Sequence, residues 1–478
     1  MLKPHRTSRF VAPLGLAVLS LWARPALADA SSTVGSASLP PDSTVQSLID
    51  ARAKLAPNAG IIVGLIDARG PRVLSAGTVD GKGTKPPDAR SVFEIGSVTK
   101  TFTGTLLADM TRRGDVRFEQ PLAELLPDSV KVPSHEGKPI TLLDLATQSS
   151  GLPRLPANFS PKDESNPYAD YSAERLYTFL SSYSLTRDPG AQYEYSNLGM
   201  GLLGFALARH AGTTYEELVR ARIAGPLNMA DTRVALTPDE RARLAPGHDL
   251  EGKKVANWDL PTLAGAGALR STANDMLAYV AAYMKADTTT DLGRDLLTAA
   301  TPRRGTTIPH MRIGLAWHVR EADDTQIVWH NGGTGGYHTF IGFDRARGAG
   351  IVILGNSIVN TDDIGLHLLD PAIPITPPTP PQQHKEVSLK PEQLQPCVGR
   401  YELAPGAIMT VTLEKAQLSA QLTGQNAFPI FPESDGHFFL KVVEATLDFE
   451  RDAQGSVIAV TLHQNGQDSR APRLEGTK

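Results

Sequence analysis

Hydrophobic positions along the chain follow first a strand spacing, then a helical spacing, and then a strand spacing again. An unbroken apolar run at residues 61–66, followed by a turn, predicts a buried strand and a returning partner. Residues 98–113 place apolar side chains on one face, which predicts a helix that ends at Gly114. The middle of the chain, residues 120–300, follows mainly the helical spacing. Further strands are predicted at residues 315–319, 327–329, 339–343 and 351–354.

Strands at both ends of this unit, with helices between them, predict one sheet assembled from the two ends of the segment. The helical middle then forms an insertion beside the sheet, which is an α+β arrangement. A cleft between two such regions is a common place for a ligand.

A second unit is predicted after a proline-rich stretch. Residues 371–383 contain six prolines and are typical of a stiff linker. Beyond them, residues 384–478 alternate between short apolar runs and turn residues, which predicts a small all-β domain, either a sheet or a barrel. Its strands are expected at residues 409–413, 417–422, 438–442, 446–449 and 457–462.

The first 28 residues are typical of an export signal. Three basic residues, Lys3, Arg6 and Arg9, precede an apolar stretch at residues 10–23, and Ala26-Leu27-Ala28 supplies small residues for cleavage. The alternative is a buried core helix. We expect residues 1–28 to be removed, and the mature protein, with no integral membrane segment, to be periplasmic or secreted.

Composition excludes several classes of protein. The net charge of −4 and the lack of a basic block argue against a nucleic-acid partner. The single cysteine, Cys397, allows no internal disulfide and no cysteine zinc site, and we expect it to be a small buried residue. No H-E-x-x-H or similar cluster is present, so we expect neither a metal nor another cofactor.

The first candidate for chemistry is Gly96-Ser97-Val98-Thr99-Lys100, at the start of the predicted helix. Residues three apart share a helix face, so Lys100 can reach the Ser97 hydroxyl. A serine needs an adjacent base, and burial at a helix N-terminus favours a neutral lysine that accepts a proton. An S-x-x-K pattern nevertheless arises by chance about once in a chain of this length.

The second candidate is Tyr195-Ser196-Asn197, just before a predicted helix. A tyrosine beside a lysine can serve as a general base or acid. Asn197 offers both a donor and an acceptor to a substrate amide. The alternative is a plain turn in which the asparagine caps the helix.

The third candidate is the glycine-rich segment His330-Asn331-Gly332-Gly333-Thr334-Gly335-Gly336, between two predicted strands. Glycines let a ligand approach a sheet edge, and His330 with Thr334 can hold a substrate carboxylate. The alternatives are a glycine-rich hairpin and a phosphate loop. The phosphate-loop pattern fails because no Gly-Lys-Ser/Thr follows.

Other candidates receive plainer interpretations. Tyr168 and Tyr171, in a polar loop, are expected to be exposed aromatics, and the alternative places them at the rim of the cleft. His248 and His338 are isolated in the sequence, and no role beyond lining a cleft is assigned to them.

Together the three motifs resemble the penicillin-recognising serine hydrolases, the superfamily of class C β-lactamases, DD-carboxypeptidases and D-aminopeptidases. The resemblance extends over residues 42–370. It includes the segment from Leu143 to Pro153, which is similar to the family's "LLTHTSGLP". It implies a β-lactamase/transpeptidase-like fold, with an antiparallel sheet flanked by helices and a helical subregion. The C-terminal unit resembles, less specifically, a lipocalin-like β domain.

The resemblance also implies a mechanism. Ser97 attacks a carbonyl, Lys100 and Tyr195 move its proton to the leaving group, and water hydrolyses the acyl-enzyme. The backbone N–H groups of Ser97 and Gly333 form the oxyanion hole. Asn197, His330 and Thr334 contact the substrate.

One departure from the family concerns the third motif, which in the β-lactamases is usually Lys-Thr-Gly. His330 in place of lysine resembles the DD-peptidases and D-aminopeptidases, and its imidazolium is expected to hold a carboxylate with an ionisation near 6.5. The expected substrates are peptides with D-amino acids, such as D-Ala-D-Ala ends. A β-lactamase, a carboxylesterase and a non-catalytic penicillin-binding sensor remain alternatives, and a sensor needs a transmembrane relay that the sequence lacks.

Overall fold

The computed structural model divides the chain into two compact units, one ending and the other beginning near residue 380. The predicted export signal and part of the proline-rich stretch lie outside the residues it describes. The described residues are 39–80, 83–322, 325–377, 384–404, 407–422, 427–440, 445–464 and 467–474. No described helix is long and apolar enough to cross a membrane.

An antiparallel sheet organises the first unit. The strands are β1 (Gly60–Ile66), β2 (Arg72–Gly77), β3 (Val92–Glu94), β4 (Ser134–His135), β5 (Lys138–Pro139), β6 (Arg270–Thr272), β7 (Arg304–Gly305), β8 (Met311–Ile313), β9 (His318–Ala322), β10 (Thr325–Gly333), β11 (His338–Asp344) and β12 (Ala349–Gly355). The sheet order is β2-β1-β12-β11-β10-β9-β8-β7. Because β1 pairs with β12, Ile61 lying opposite Gly355, the two ends of the unit share one sheet, as predicted.

The helices of the first unit lie against this sheet or in the insertion beside it. They are α1 (Asp42–Ala53), α2 (Thr99–Arg113), α3 (Leu142–Ala146), α4 (Ala173–Ser182), α5 (Asn197–His210), α6 (Tyr215–Val219), α7 (Pro238–Arg243), α8 (Ala273–Lys285), α9 (Asp291–Ala300) and α10 (Asp362–Leu369). Glycines allow the close approach. A Cβ at Gly350 would lie 2.8 Å from Val280 of α8, and one at Gly342 would lie 2.9 Å from Leu369 of α10. The α+β prediction is therefore confirmed.

The strand predicted at residues 315–319 is wrong over its first half. Ala316 has a φ of +70°, and the strand begins only at His318. The backbone N–H of Leu315 donates to the Ala299 carbonyl, and that of Ala316 to the Ala146 carbonyl. The apolar run marks a buried turn between β8 and β9 that packs against α9 and α3, and burial gives a turn the same composition as a strand.

Eight antiparallel strands form the second unit. They follow α11 (Pro391–Leu394) and are β13 (Gly399–Ala404), β14 (Ala407–Glu414), β15 (Gln417–Leu422), β16 (Ala427–Ser434), β17 (His437–Phe439), β18 (Ala445–Arg451), β19 (Val457–Gln464) and β20 (Gln467–Pro472). A bridge between Tyr401 and Arg473 brings β13 to β20, so the sheet is nearly a closed barrel. Cys397 is fully buried in its core, as predicted, and burial raises the pKa of its thiol to about 11.

Candidate active site

Ser97 lies in a short 3-10 turn, Gly96–Val98, that leads directly into α2. Lys100 belongs to the first turn of that helix, and its Nζ lies 2.8 Å from the Ser97 Oγ. The same Nζ donates to the Ala266 carbonyl at 2.6 Å. The turn fixes the two side chains against each other, as the S-x-x-K spacing predicts.

Burial disfavours the charged form of Lys100, as a general base requires. Its side chain is fully buried, and burial, followed by the nearby charge of Arg154, holds the pKa of Lys100 well below its usual value. A neutral amine bonded to a carbonyl retains a lone pair that can accept the Ser97 proton. This arrangement supports nucleophilic attack by Ser97.

Tyr195 lies on the other side of the nucleophile. Its ring centroid is 5.0 Å from Lys100 Nζ, which itself contacts Ser97. Burial raises the pKa of Tyr195 to about 12, although the charge of Arg154 and the nearby Ser97 hydroxyl oppose the rise. Tyr195 is therefore protonated in the resting site and positioned to give a proton to a leaving group.

The segment from Leu143 to Pro153 holds the second motif in place. The Gln148 side chain accepts from the Ser196 N–H at 2.7 Å, and the Ser196 hydroxyl donates to the Pro153 carbonyl at 2.6 Å. Ser196 also caps α5 by accepting from the Gly199 N–H. These bonds explain why this segment accompanies the tyrosine motif.

Strand β10 packs its glycines directly on the turn that carries Ser97. A Cβ at Gly332 would lie 2.1 Å from the Ile95 carbonyl oxygen, so no larger residue fits. The Gly333 nitrogen lies 2.8 Å from the position of a Cβ on Gly96. The Gly333 N–H is therefore next to Ser97, where an oxyanion donor is required.

His330 corrects the expectation of an imidazolium that binds a carboxylate. Its side chain is fully buried, with its ring centroid 6.4 Å from that of Tyr195 and 5.1 Å from that of His318. Burial, as the largest cause, holds the pKa of His330 well below its usual value, and any proton on the neighbouring His318 or Lys100 would lower it further. His330 is neutral at pH 7, so an ionisation near 6.5 does not belong to it.

Asn331 faces the opposite side of the sheet from His330, because side chains alternate along a strand. Its amide donates to Asp362 of α10 at 2.6 Å. Asn331, which stands where the family has threonine, therefore ties β10 to α10 and is not among the residues that line the cleft.

A narrow cleft opens above Ser97. Its walls include Ser97, Tyr168, Asn197, Trp258, Gly333 and Thr334. Asn197 donates to the Tyr168 hydroxyl at 3.2 Å, and the Tyr168 ring packs on Trp258. The expectation that Tyr168 and Tyr171 are exposed is wrong, since both are buried, and only Tyr168 is among the cleft-lining residues.

Sequence reasoning missed several residues of the site. Trp258 and the Ala266 carbonyl come from the helical middle, in loops without a recognisable motif. Arg154 follows the Leu143–Pro153 segment, and its Cζ lies 5.2 Å from the Tyr195 ring centroid. The similarity of that segment to the family was the only signal that pointed to Arg154.

One group of described side chains is arranged closely enough to hold a cation. His135, Glu136 and Asp188 place ligand atoms within 4.8 Å of one another. Lys138 already pairs with Asp188, and none of these residues lines the cleft. The cleft itself offers hydroxyl, amide and backbone groups rather than a set of metal ligands.

Comparisons with known proteins agree with this geometry. The Beta-lactamase family model matches residues 45–368, and a model described as a domain of unknown function (DUF3471) matches residues 383–473. The D-alanyl-D-alanine-carboxypeptidase/endopeptidase AmpH of Escherichia coli (strain K12) is 30% identical over 281 residues, which cover 56% of this chain and 71% of that protein. A beta-lactamase of Pseudomonas fluorescens is 26% identical over 348 residues, covering 66% of this chain and 92% of that protein.

A solved structure supports the fold independently. The beta-lactamase/D-alanine carboxypeptidase of Yersinia pestis in complex with citrate aligns with a TM-score of 0.60 and 24% identity, over 70% of this chain and 99% of that one. This likeness shows the β-lactamase/transpeptidase-like fold. The family model spans well over half of the 478 residues. The chain therefore belongs to the beta-lactamase family, within the penicillin-recognising serine hydrolases.

Proposed function

We propose that this serine hydrolase is a DD-carboxypeptidase or D-amino-acid peptidase that is exported and works through an acyl-enzyme on Ser97. The observation that carries the proposal is the 2.8 Å contact between the Ser97 hydroxyl and Lys100, a buried amine whose pKa burial lowers. The name of the Escherichia coli relative supports the peptidase activity. Export rests on the sequence of residues 1–28 alone.

Acylation follows from the positions of these groups. Lys100 accepts the Ser97 proton while Oγ bonds to the substrate carbonyl carbon. The N–H groups of Ser97 and Gly333 receive the oxyanion, and losing one such donor typically costs about 10²–10³ in rate. Tyr195 donates its proton to the leaving amine as the amide bond breaks, and Lys100 returns a proton to Tyr195. Water then attacks the ester carbonyl of the acyl-enzyme, and the same proton transfers run in the opposite direction to release the acid product and restore the Ser97 hydroxyl.

Asn197 and Thr334 are proposed to contact the substrate across the cleft. Asn197 Nδ2 is held by Tyr168, which leaves its carbonyl oxygen available to a substrate N–H. His330 supports Tyr195 from behind as a neutral ring. This assignment replaces its expected role as a carboxylate-binding cation.

A β-lactamase is the second candidate, because the Pseudomonas fluorescens relative carries that name. Both activities need the same nucleophile and base. They differ in deacylation and in the recognition of the leaving group, so the choice between them depends on substrate turnover.

An activity panel tests the proposal. Nitrocefin, an acyl-D-Ala-D-Ala peptide, a D-amino-acid anilide and p-nitrophenyl acetate are compared on the wild type, on Ser97→Ala and on Ser47→Ala, a surface control on α1. We expect turnover of the D-peptide or the anilide, and mass spectrometry should place the acyl group on Ser97. Nitrocefin turnover far above that of both peptides would establish the β-lactamase, and full activity of Ser97→Ala would reject both candidates.

A further inference from the structure

We propose that Arg154 binds a carboxylate of the substrate and so supplies the positive charge that the third motif lacks. The proposal rests on the proposed peptidase function and names the charge that its substrate must carry. Three features of the structure support it: the position of Arg154, its freedom from acidic partners, and the neutrality of the other basic groups.

The backbone fixes Arg154 at the site. Its carbonyl accepts a hydrogen bond from the Leu198 N–H at 3.1 Å, which ties it to the N-terminus of α5 beside Asn197. From there its guanidinium lies over the Tyr195 ring, with Cζ 5.2 Å from the centroid. Lys100 Nζ lies 5.0 Å from the same centroid and 2.8 Å from Ser97 Oγ, so the charge of Arg154 lies close to the nucleophile.

Arg154 is exposed, and no described carboxylate lies within salt-bridge distance of it. Other arginines of the same unit are paired with carboxylates. Arg187 pairs with Glu194, Arg304 with Asp144, and Arg270 with both Glu94 and Asp259. An arginine that contacts only an aromatic face keeps its planar set of donors for a ligand carboxylate.

The other basic groups at the site cannot take this role. Lys100 is buried and already bonded to Ser97 and to the Ala266 carbonyl. His330 and His318 are buried, and burial keeps the pKa of each below its usual value. The charge of Arg154 opposes the rise that burial causes in the pKa of Tyr168 and Tyr195, and it adds to the fall in the pKa of Lys100. The field of Arg154 therefore reaches the cleft.

The ligand chemistry is a peptide carboxylate, which has two possible sources. One is the C-terminal carboxylate of the leaving D-amino acid, and the other is an acidic group on the acyl side of the scissile bond. Both form charge-assisted, bidentate hydrogen bonds with a guanidinium.

Matched substrates separate the two sources. Acyl-D-Ala-D-Ala is compared with its C-terminal amide, and an N-succinyl peptide with its N-acetyl analogue, alongside neutral p-nitrophenyl acetate. We expect Arg154→Gln to lower kcat/KM about 10–100-fold, mainly through KM, for whichever substrate carries the recognised carboxylate. The uncharged member of that pair and the ester should lose clearly less activity, because they report only the effect of Arg154 on Lys100 and Tyr195. Arg154→Lys should restore part of the loss.

Arg209→Gln is the control, because Arg209 is also exposed and has no acidic partner among the described residues. An equal loss of activity on all substrates, or no loss on any, would overturn the proposal. The first result would mean that Arg154 acts on the proton-transfer groups rather than on a ligand.

A binding measurement keeps this test separate from the proposed function. Calorimetric binding of N-acetyl-D-Ala-D-Ala, its amide and its N-succinyl analogue to Ser97→Ala needs no hydrolysis. The proposal predicts that adding Arg154→Gln weakens the carboxylate-bearing ligand about 10–100-fold and leaves its uncharged counterpart unchanged. Equal binding of every ligand with and without Arg154 would overturn it, even if the enzyme hydrolyses D-peptides.

Discussion

Histidines in the two units of the molecule meet opposite surroundings. In the first unit, His318 lies on β9 and His338 on β11, and burial lowers the pKa of each to about 4. In the second unit, His463 lies half-buried on the outer surface of the barrel. Burial pulls the pKa of His463 down, but hydrogen bonds and charges from Asp468 and Asp448 outweigh it and raise the value.

The outer surface of the barrel carries a row of alternating histidines and carboxylates. Each side chain in the row contacts the next, in the order His384, Glu433, His437, Asp448, His463 and Asp468. His384 lies 2.8 Å from Glu433, and His463 lies 2.9 Å from Asp448 and 2.6 Å from Asp468. Each carboxylate within the row faces a histidine, and at His463 this contact raises the pKa.

The difference teaches that burial in the hydrolase core disfavours the charged forms of Lys100, His318 and His338, whereas carboxylate partners on the barrel surface favour the charged form of His463. A neutral Lys100 is useful to a nucleophilic serine, whereas surface ion pairs contribute little stability. The same residue type therefore responds to pH with opposite sign in the two units.

The largest expected effect comes from forcing a charge into the site. Lys100→Arg places a permanent cation where burial disfavours charge, so we expect acylation by p-nitrophenyl acetate to fall by about 10²–10⁴. Stopped-flow measurement of the acylation rate checks this. Lys131→Arg, at an exposed position, is the matched control. A loss below about threefold would show that Lys100 need not be neutral.

The next effect concerns stability in acid. Since the folded pKa of His318 is about 4 and the unfolded value about 6.5, the unfolded chain binds more protons as pH falls below 6.5. Between pH 7.5 and 5, the wild type should lose about 2 kcal/mol more unfolding free energy than His318→Gln. Comparison with the variant is needed because Asp362, whose pKa burial raises to about 7, titrates with the opposite sign.

Tryptophan fluorescence in denaturant measures this loss selectively. After residue 28 the tryptophans are Trp258, Trp317 and Trp329, all in the hydrolase unit. If the variant and the wild type show the same change with pH, His318 is not held neutral by burial.

A smaller effect is expected for His330→Gln. Because His330 is already neutral, the ester kcat/KM should fall less than about tenfold, and the shape of its profile between pH 5.5 and 7.5 should match that of the wild type. The wild type and the variant are compared over the same buffers. Disappearance of an inflection near pH 6.5 in the variant would restore the imidazolium interpretation.

The smallest effect belongs to the barrel. The raised pKa of His463 adds stability that is fully present below about pH 6.5 and fades as pH rises through its folded value. Relative to His463→Gln, the wild type should gain less than about 1 kcal/mol between pH 8.5 and 6. The denaturant midpoint for thiol labelling of Cys397, buried in the barrel core, reports this unit alone. Greater wild-type stability at pH 8.5 than at pH 6, relative to the variant, would contradict the prediction.

Much of the fold could be predicted from local patterns. The helix expected at residues 98–113 is α2, Thr99–Arg113, and the strand expected at residues 61–66 is β1. The strand predicted at residues 315–319 was wrong over its first half, because the buried turn around Ala316 has the apolar composition of a strand. In the barrel, β16 was missed because Pro429 and Pro432 interrupt its alternation.

The sequence by itself determined that Lys100 meets Ser97, because a separation of three residues brings side chains together on any helix. It also determined the order of the motifs and therefore the family. Only the tertiary structure decided the charges. Whether Lys100 or His330 carries a charge depends on desolvation by residues remote in the chain. Arg154 is recognisable as a candidate ligand for a carboxylate only in the fold, where it lies over the Tyr195 ring and no described carboxylate pairs with it.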